Sequence, residues 1–397
     1  MHPSLLLVVL PLAFASPTGK RSSPAPLLVP RGAASRLIPD EYIVKLKKGS
    51  ATGVLKDVME MLPSPPSVVF ESVFKGFTGK LDSPTLEAMQ AHPDVDYIEQ
   101  NAKVQAYGLV TQRNAPWGLA RISHRATGAT DYVYDESAGE GTCVYVVDSG
   151  LDDQHAEFEG RAEEVKSFIG GSGDNCLHGT HVAGTVGSRS YGVAKKANIY
   201  GIKVLDYNTL SGKCEAANSV IIAGMEHVSK DAANRDCPNG IVVNMSLGGS
   251  FSQMTNDAAA ALVRKGYFVA VAAGNGDEKS RPLNAAEVSP ASAASVCTIG
   301  SVDVNNHIAF DSNYGPGVDL HGPGVKVTSV RAGGGFLEMS GTSMATPHIA
   351  GLGAYFLALG KSADTMCEYL QSLALQGVIQ GLYSGTQNLL AQNGVYA

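Results

Sequence analysis

The sequence predicts two parts: an α/β domain on a mainly parallel sheet flanked by helices, preceded by a small α+β unit of ferredoxin-like order. Three observations predict it. Beyond residue 142, short apolar runs rich in Val and Ile alternate with helical segments of small residues. Such runs are strands buried on both faces, and their alternation with helices makes a parallel sheet. Residues 41–104 read differently, as strand, helix, two strands, helix, strand, the split β-α-β order. All six cysteines lie in the larger part and none in residues 1–142.

The elements follow in chain order. Leu5 to Leu12 is a short apolar run followed by Ala13-Phe14-Ala15, the pattern of a secretory signal with a small-residue cleavage site. Residues 1–15 are therefore expected to be removed and the protein to be extracellular. Residues 16–39, rich in Pro, Ser, Ala and Arg, read as an extended leader. Glu41 to Lys47 alternates polar and apolar residues, as a half-buried strand does. A helix over 50–62 and strands near 67–73 and 76–81 follow. Ser83-Pro84-Thr85 reads as a cap with Pro at the start of a second helix, and 95–104 as the last strand. A linker near 105–113 leads into the larger part. There, strands are expected at Thr142–Val147, Ile199–Val204, Ile241–Met245 and Tyr267–Ala272, with helices near 178–187, 216–233, 254–265 and 342–359.

Composition narrows the function classes. Of 397 residues, 44% are hydrophobic, enough for a large core. Net charge is −7; residues 16–107 are near neutral, and the acid excess sits beyond them. That distribution opposes nucleic acid and anionic membranes as partners, since both need clustered cations. No later stretch has the roughly 18 uninterrupted apolar residues of a membrane span. An even cysteine count behind a signal segment favours disulfides, but spacing alone does not choose among the pairings.

Three local patterns carry chemistry. Val146-Val147-Asp148-Ser149-Gly150 puts an acid at the end of a buried strand. His178-Gly179-Thr180-His181 opens a helix of very small residues, without the helical spacing of a zinc pair. Gly341-Thr342-Ser343-Met344-Ala345 puts a serine at a glycine-led turn into a helix. A serine hydroxyl needs a base to become a nucleophile, a histidine titrates near neutrality, and a carboxylate steadies the imidazolium. Ser343 is thus the expected nucleophile, His178 its base and Asp148 the orienting anion. Oxyanion donors are expected from the Ser343 backbone N–H and the side-chain amide of Asn275, which follows a buried strand.

In the order Asp, His, Ser, these residues resemble the subtilases, the order subtilisin itself exemplifies. Longer matches resemble the proteinase K-like branch: Asn114 to Ser123, Tyr134 to Gly139, Glu157 to Arg161, Tyr191 to Lys196 and Ser246 to Gly249. The likeness spans 112–397, and residues 41–105 resemble the family's inhibitor-type propeptide. It implies a secreted, self-processing serine endopeptidase: propeptide 16–107, then a subtilisin-like catalytic domain, 108–397, with a seven-stranded sheet. The propeptide would act as intramolecular inhibitor, its tail in the active-site cleft, with Tyr107 a candidate for the acyl side of the self-cut.

Protein or peptide substrate would lie as an added strand between Ser246-Leu247-Gly248 and Ala272-Ala273-Gly274. Small residues there imply broad specificity with large apolar or aromatic side chains preferred. The resemblance pairs Cys143 with Cys237 and Cys297 with Cys367; Cys176 and Cys214, extra relative to the proteinase K-like branch, resemble a bridge seen in some bacterial members and are expected to form a third. It implies one structural Ca²⁺ held by Asp319 and the carbonyls of Ala294 and Val296, no catalytic cofactor, and a monomer. Val378 and Arg125 occupy the ligand positions of a second, weaker site. His181, His321 and His348 are expected to be structural, and the sequon at Asn244 to stay unmodified. A catalytically silent relative used for binding is the alternative, opposed by the intact Asp148, His178, Asn275 and Ser343.

Overall fold

A computed structural model describes residues 23–30, 37–51, 53–103 and 108–397. The apolar run 5–12, the cleavage pattern at 13–15 and Tyr107 lie outside the described residues. The chain forms two compact units that divide near residue 104.

The first unit has strands β1 (Leu27–Leu28), β2 (Leu37–Leu46), β3 (Val68–Phe70), β4 (Gly76–Lys80) and β5 (Val95–Ala102), with helices α1 (Val54–Met59) and α2 (Ser83–Ala91). Sheet order is β1-β5-β2-β4-β3. Its last four strands pair antiparallel in the ferredoxin-like order. Two features correct the sequence reading. Leu27 and Leu28, inside the supposed extended leader, form an edge strand parallel to β5, opposite Ile98 and Glu99. The cap of α2 is Asp82 rather than Ser83: its carboxylate accepts the Thr85 N–H at 2.9 Å. The core is small, chiefly Val44, Leu46, Val58, Phe77, Met89 and Ile98.

The second unit is built on β6 (Cys143–Asp148), β7 (Ala162–Ser167), β8 (Asn198–Lys203), β9 (Ile241–Met245), β10 (Phe268–Ala272), β11 (Cys297–Val302) and β12 (Leu320–Pro323). These seven strands pair in parallel, in the order β12-β11-β10-β9-β6-β8-β7. Two two-residue strands, Leu375–Gln376 and Leu389–Leu390, extend the β12 edge, so the sheet has nine strands rather than seven. Helices α3 (His178–Gly187), α4 (Asn218–Asp231), α5 (Gln253–Arg264) and α6 (Thr342–Ala358) cover it.

Alternation along β6 explains why that strand reads as one apolar run. Val144 and Val146 join the core containing Val182, Ile349 and Leu352 of α3 and α6. Tyr145 and Val147 join the opposite core with Ile221, Met225 and Leu262 of α4 and α5. A strand sandwiched this way has no solvent face to give to polar residues. Helix α6 runs inside the protein, with all but Ser343 among its residues buried. Strand order reverses around β6, which has β8 on one side and β9 on the other. The crevice outside the carboxyl ends of β6 and β9 is therefore the place where such a sheet binds ligands. Among the described residues no helix is long and apolar enough to cross a membrane.

Candidate active site

Asp148 ends β6 and is fully buried. Its Oδ1 accepts the Ser149 N–H at 2.7 Å and lies 2.7 Å from His178 Nδ1. His178 is the first residue of α3. Burial pushes its imidazolium toward deprotonation, but the charge and hydrogen bond of Asp148, helped by Asp174, outweigh this and leave its pKa above the ordinary value. One turn later on the same helix, burial wins: His181 is pushed down to about 4, its Nε2 lying 3.0 Å from the Val327 carbonyl. Burial likewise pushes His321 and His348 down to about 4.

The start of α3 is fixed by groups that sequence reading missed. The Ser149 hydroxyl accepts the Gly179 N–H at 2.9 Å and donates to Asp174 Oδ1 at 2.8 Å. Asp174 Oδ2 accepts the Thr180 N–H at 2.8 Å, satisfying one of the orphan donors of the first turn. An aspartate four residues before a helix start is the one local signal that could have marked it. Beneath them, buried Lys203 donates to the Ser149 carbonyl at 2.7 Å and to Asp206 Oδ1 at 3.1 Å.

Ser343 is the second residue of α6, where backbone N–H groups lack intrahelical partners. Its hydroxyl donates to the Ser246 carbonyl at 3.0 Å, and the Ser246 hydroxyl donates back to the Ser343 carbonyl at 2.8 Å. The helix start is thereby tied to the end of β9. Asn275 Oδ1 accepts the Thr342 N–H at 2.8 Å and the Thr342 hydroxyl at 2.9 Å. Asn275 is itself exposed and lines the cleft. His178, Asn275 and Ser343 line one cleft of about 1450 Å³.

Ser246, Leu247, Gly248, Ala272 and Gly274 line the same cleft. Ala273 does not: it is fully buried and packs with Ala285 and Val318, because strand alternation turns its side chain inward. The sequon residue Asn244 is buried within β9, its amide donating to the Ser246 hydroxyl at 3.0 Å.

Disulfides join Cys143 to Cys237, Cys176 to Cys214 and Cys297 to Cys367. The second ties the segment just before His178 to a hairpin, Asp206–Asn208 paired with Lys213–Glu215, on the cleft rim. Near the third lies Asp319, whose carboxylate accepts the Thr298 N–H at 2.8 Å. Burial, with the charge of Glu368 adding, raises its pKa to about 6. The Cys297 and Cys367 sulfurs are close to that carboxylate but bonded to each other, so they are not thiolate ligands. Arg125, at the expected weaker cation position, stacks over the Tyr396 ring at 4.6 Å from its centroid.

Comparison with known proteins places this arrangement. Residues 139–379 match the Subtilase family, and residues 41–107 match Peptidase inhibitor I9. Proteinase R of Parengyodontium album is 48% identical, over 99% of both chains. The Cuticle-degrading protease of Metarhizium anisopliae is 48% identical over 99% of this chain and 100% of that one. A crystal structure of a cold adapted subtilisin-like serine proteinase superposes with a TM-score of 0.64 at 36% identity, covering 70% of this chain and 98% of that one. The chain belongs to the subtilase family and is a serine endopeptidase, made as a zymogen with an I9-type propeptide.

Proposed function

We propose that Ser343 is the nucleophile, His178 the general base and Asp148 the residue that orients and charges it. The observation that carries this reading is the 2.7 Å contact between Asp148 and His178 in a cleft also lined by Ser343 and Asn275. Ser343 Oγ leaves the Ser246 carbonyl and attacks the scissile carbonyl carbon as His178 takes its proton. Asp148 compensates the imidazolium that forms. The developing oxyanion receives the Asn275 Nδ2 donor and the Ser343 N–H, both positioned before substrate arrives. His178 then protonates the leaving amine, and water repeats the sequence on the acyl-enzyme.

Substrate is read along its backbone as an added strand between Ser246-Leu247-Gly248 and the Ala272 to Gly274 segment. Val288 buried between these walls and the small residues on them suit a large apolar or aromatic side chain on the acyl side. The unit over 41–105 is the inhibitor, released after a self-cut near residue 107. The chain is secreted after loss of residues 1–15, consistent with its disulfides, and acts as a monomer on protein and peptide substrates.

One structural Ca²⁺ fits at Asp319. Among the described residues the half-buried Asp319 carboxylate has no ion-pair partner, and with the backbone carbonyls of Ala294 and Val296 it would offer a hard oxygen donor set. Bound there, calcium supplies charge compensation that fastens the start of β12 to the turn before β11. Chelation is expected to lower Tm with kcat at room temperature unchanged; an unmoved Tm removes the cation from this reading.

Intact mass of secreted wild type and Ser343→Ala, with a casein assay on both, tests the catalytic assignment. Wild type should lose its propeptide and digest casein, while the variant keeps the propeptide and does neither. A processed, active variant would mean that Ser343 is not the nucleophile.

A further inference from the structure

Asn275 is followed by Gly276. In an Asn-Gly pair no side chain shields the glycine nitrogen, which can attack the asparagine side-chain carbonyl carbon. A bond forms from the Gly276 nitrogen to Asn275 Cγ, that nitrogen gives up its proton, and the side-chain nitrogen departs as ammonia. Water then opens the resulting succinimide to aspartate or isoaspartate. Aspartate puts a carboxylate oxygen where the Nδ2 donor stood, and isoaspartate carries the main chain through Cγ; either product removes that donor.

The loop cannot avoid the pair by using a bulkier residue. Gly276 has φ +77°, and a Cβ there would lie 2.6 Å from the Arg281 carbonyl oxygen. The loop is closed on itself by the Asp277 N–H, which donates to that same oxygen at 2.9 Å.

Both reacting groups are instead engaged by other partners. The Gly276 N–H donates to Asn313 Oδ1 at 3.0 Å, and the same oxygen accepts the Leu283 N–H at 2.8 Å. Asn313 Nδ2 donates to the Ala273 carbonyl at 2.8 Å. Asn313, 1% exposed, thus spans both ends of the loop carrying Asn275. Gly274, at φ +100°, leaves it room: a Cβ there would collide with Asn313 Nδ2. Asn275 Oδ1 is separately engaged by Thr342. Cyclisation requires the Gly276 nitrogen to give up its hydrogen bond to Asn313 before it attacks Asn275 Cγ.

We propose that Asn275–Gly276 is a latent self-modification site whose deamidation silences the enzyme, and that Asn313 is the positioning residue that suppresses it. The silencing rests on the reading of Asn275 as the oxyanion donor.

The test compares wild type, Asn313→Ala and Asn313→Asp, each blocked with a serine-directed inhibitor to stop self-digestion and held in mildly alkaline buffer. Peptide mapping follows deamidation at 275, with Asn239–Gly240 as internal reference. That second pair has its Gly240 N–H on the Cys237 carbonyl at 2.9 Å and makes no use of Asn313. Asn313→Ala should deamidate at 275 about tenfold faster than wild type, the scale of one lost hydrogen bond to a buried group. Asn313→Asp keeps the acceptor oxygen and should stay near wild type. Equal rates in all three, or an equal acceleration at Asn239, overturns the proposal.

If Asn313→Ala does not fold, wild type is compared with a free peptide spanning 272–280. The folded chain should deamidate at least about tenfold more slowly, and equal rates overturn the proposal. Asn275→Asp, made directly, should lose roughly 10²–10³ in kcat. Full turnover in that variant sinks the oxyanion reading, while the mapping result still decides what Asn313 does.

Discussion

The floor of the cleft and its rim are held by different physics. On the floor, Asp148, His178 and Ser343 leave from β6, α3 and α6, which are buried between or within the two cores. Their polar supports, Ser149, Asp174, Lys203 and Thr342, are themselves buried and hydrogen-bonded. Among the described residues the strands of the rim hairpin at 206–215 pair only with each other, and Leu210 at its tip is 97% exposed. Its ties to the floor are the Cys176–Cys214 disulfide and the contacts of Asp206 with Lys203 and Asn175. Buried networks fix geometry to fractions of an ångström, whereas an exposed loop can vary without unfolding what it surrounds. Bond cleavage should therefore depend on the floor, and the choice of substrate on the rim.

Short of removing the nucleophile itself, the largest effect on turnover should come from Asp148→Asn. It preserves shape but removes the charge that raises the His178 pKa, and it leaves an amide facing Nδ1 in place of an acceptor. A loss of about 10⁴ in kcat is expected, with KM little changed, as for the same exchange in other serine protease triads. Steady-state kinetics on a short aromatic peptide amide measures it. A loss below about tenfold would mean that the floor does not act through this pair.

A change of pH sharpens the contrast within one helix. As the proposed base, His178 would work only when neutral, so activity should rise with pH through a midpoint above 6.5, its ordinary value. Below that midpoint each pH unit costs about tenfold in kcat/KM. The sign for stability is opposite: with its folded pKa raised, His178 stabilises the fold below 6.5, and this is lost as pH rises through the folded value. His181, His321 and His348 run the other way, each with a folded pKa near 4. They contribute stability above the unfolded pKa near 6.5 that is lost as pH falls toward 4, about 2 kcal/mol each by pH 5. A pH series of kcat/KM and Tm separates these arms. An acid-insensitive Tm would remove the buried histidines from the account.

Much of this was legible in the sequence because burial on both faces leaves unbroken apolar runs, as in Cys143–Asp148 and Phe268–Ala272. Of the proposed catalytic residues, Asp148 ends one such run, while His178 and Ser343 open helices of small residues. What escaped were polar groups whose partners come from distant segments. Asn313 meets Ala273, Gly276 and Leu283, and nothing next to it in sequence announces that. Strand β1 escaped for a similar reason: two leucines have no period, and their pairing with β5 is made about 70 residues away. Ala273 was misplaced because two neighbours in a strand end were assigned to the same wall although they face opposite ways.

The smallest effect on turnover should come from freeing the rim. Replacing Cys176 and Cys214 together by Ala removes the covalent tie between the hairpin and the segment before His178 but leaves Asp148 alone, and the bond from residue 176 to Asp174 Oδ1 at 3.2 Å comes from its backbone N–H and is retained. The hairpin keeps its own ladder, and Asp206 keeps Lys203. Chain entropy alone would cost this protein on the order of 4 kcal/mol for a loop of that length, which the two large cores absorb. With short peptides that do not reach the hairpin, kcat and KM should stay within about twofold of wild type. With longer peptides KM should rise several-fold while kcat holds, because binding to a mobile wall loses affinity in ground state and transition state alike. A matching fall in kcat on both substrates would show instead that the disulfide braces His178 itself. The division between a fixed floor and an adjustable rim would then have to be redrawn one turn closer to the chemistry.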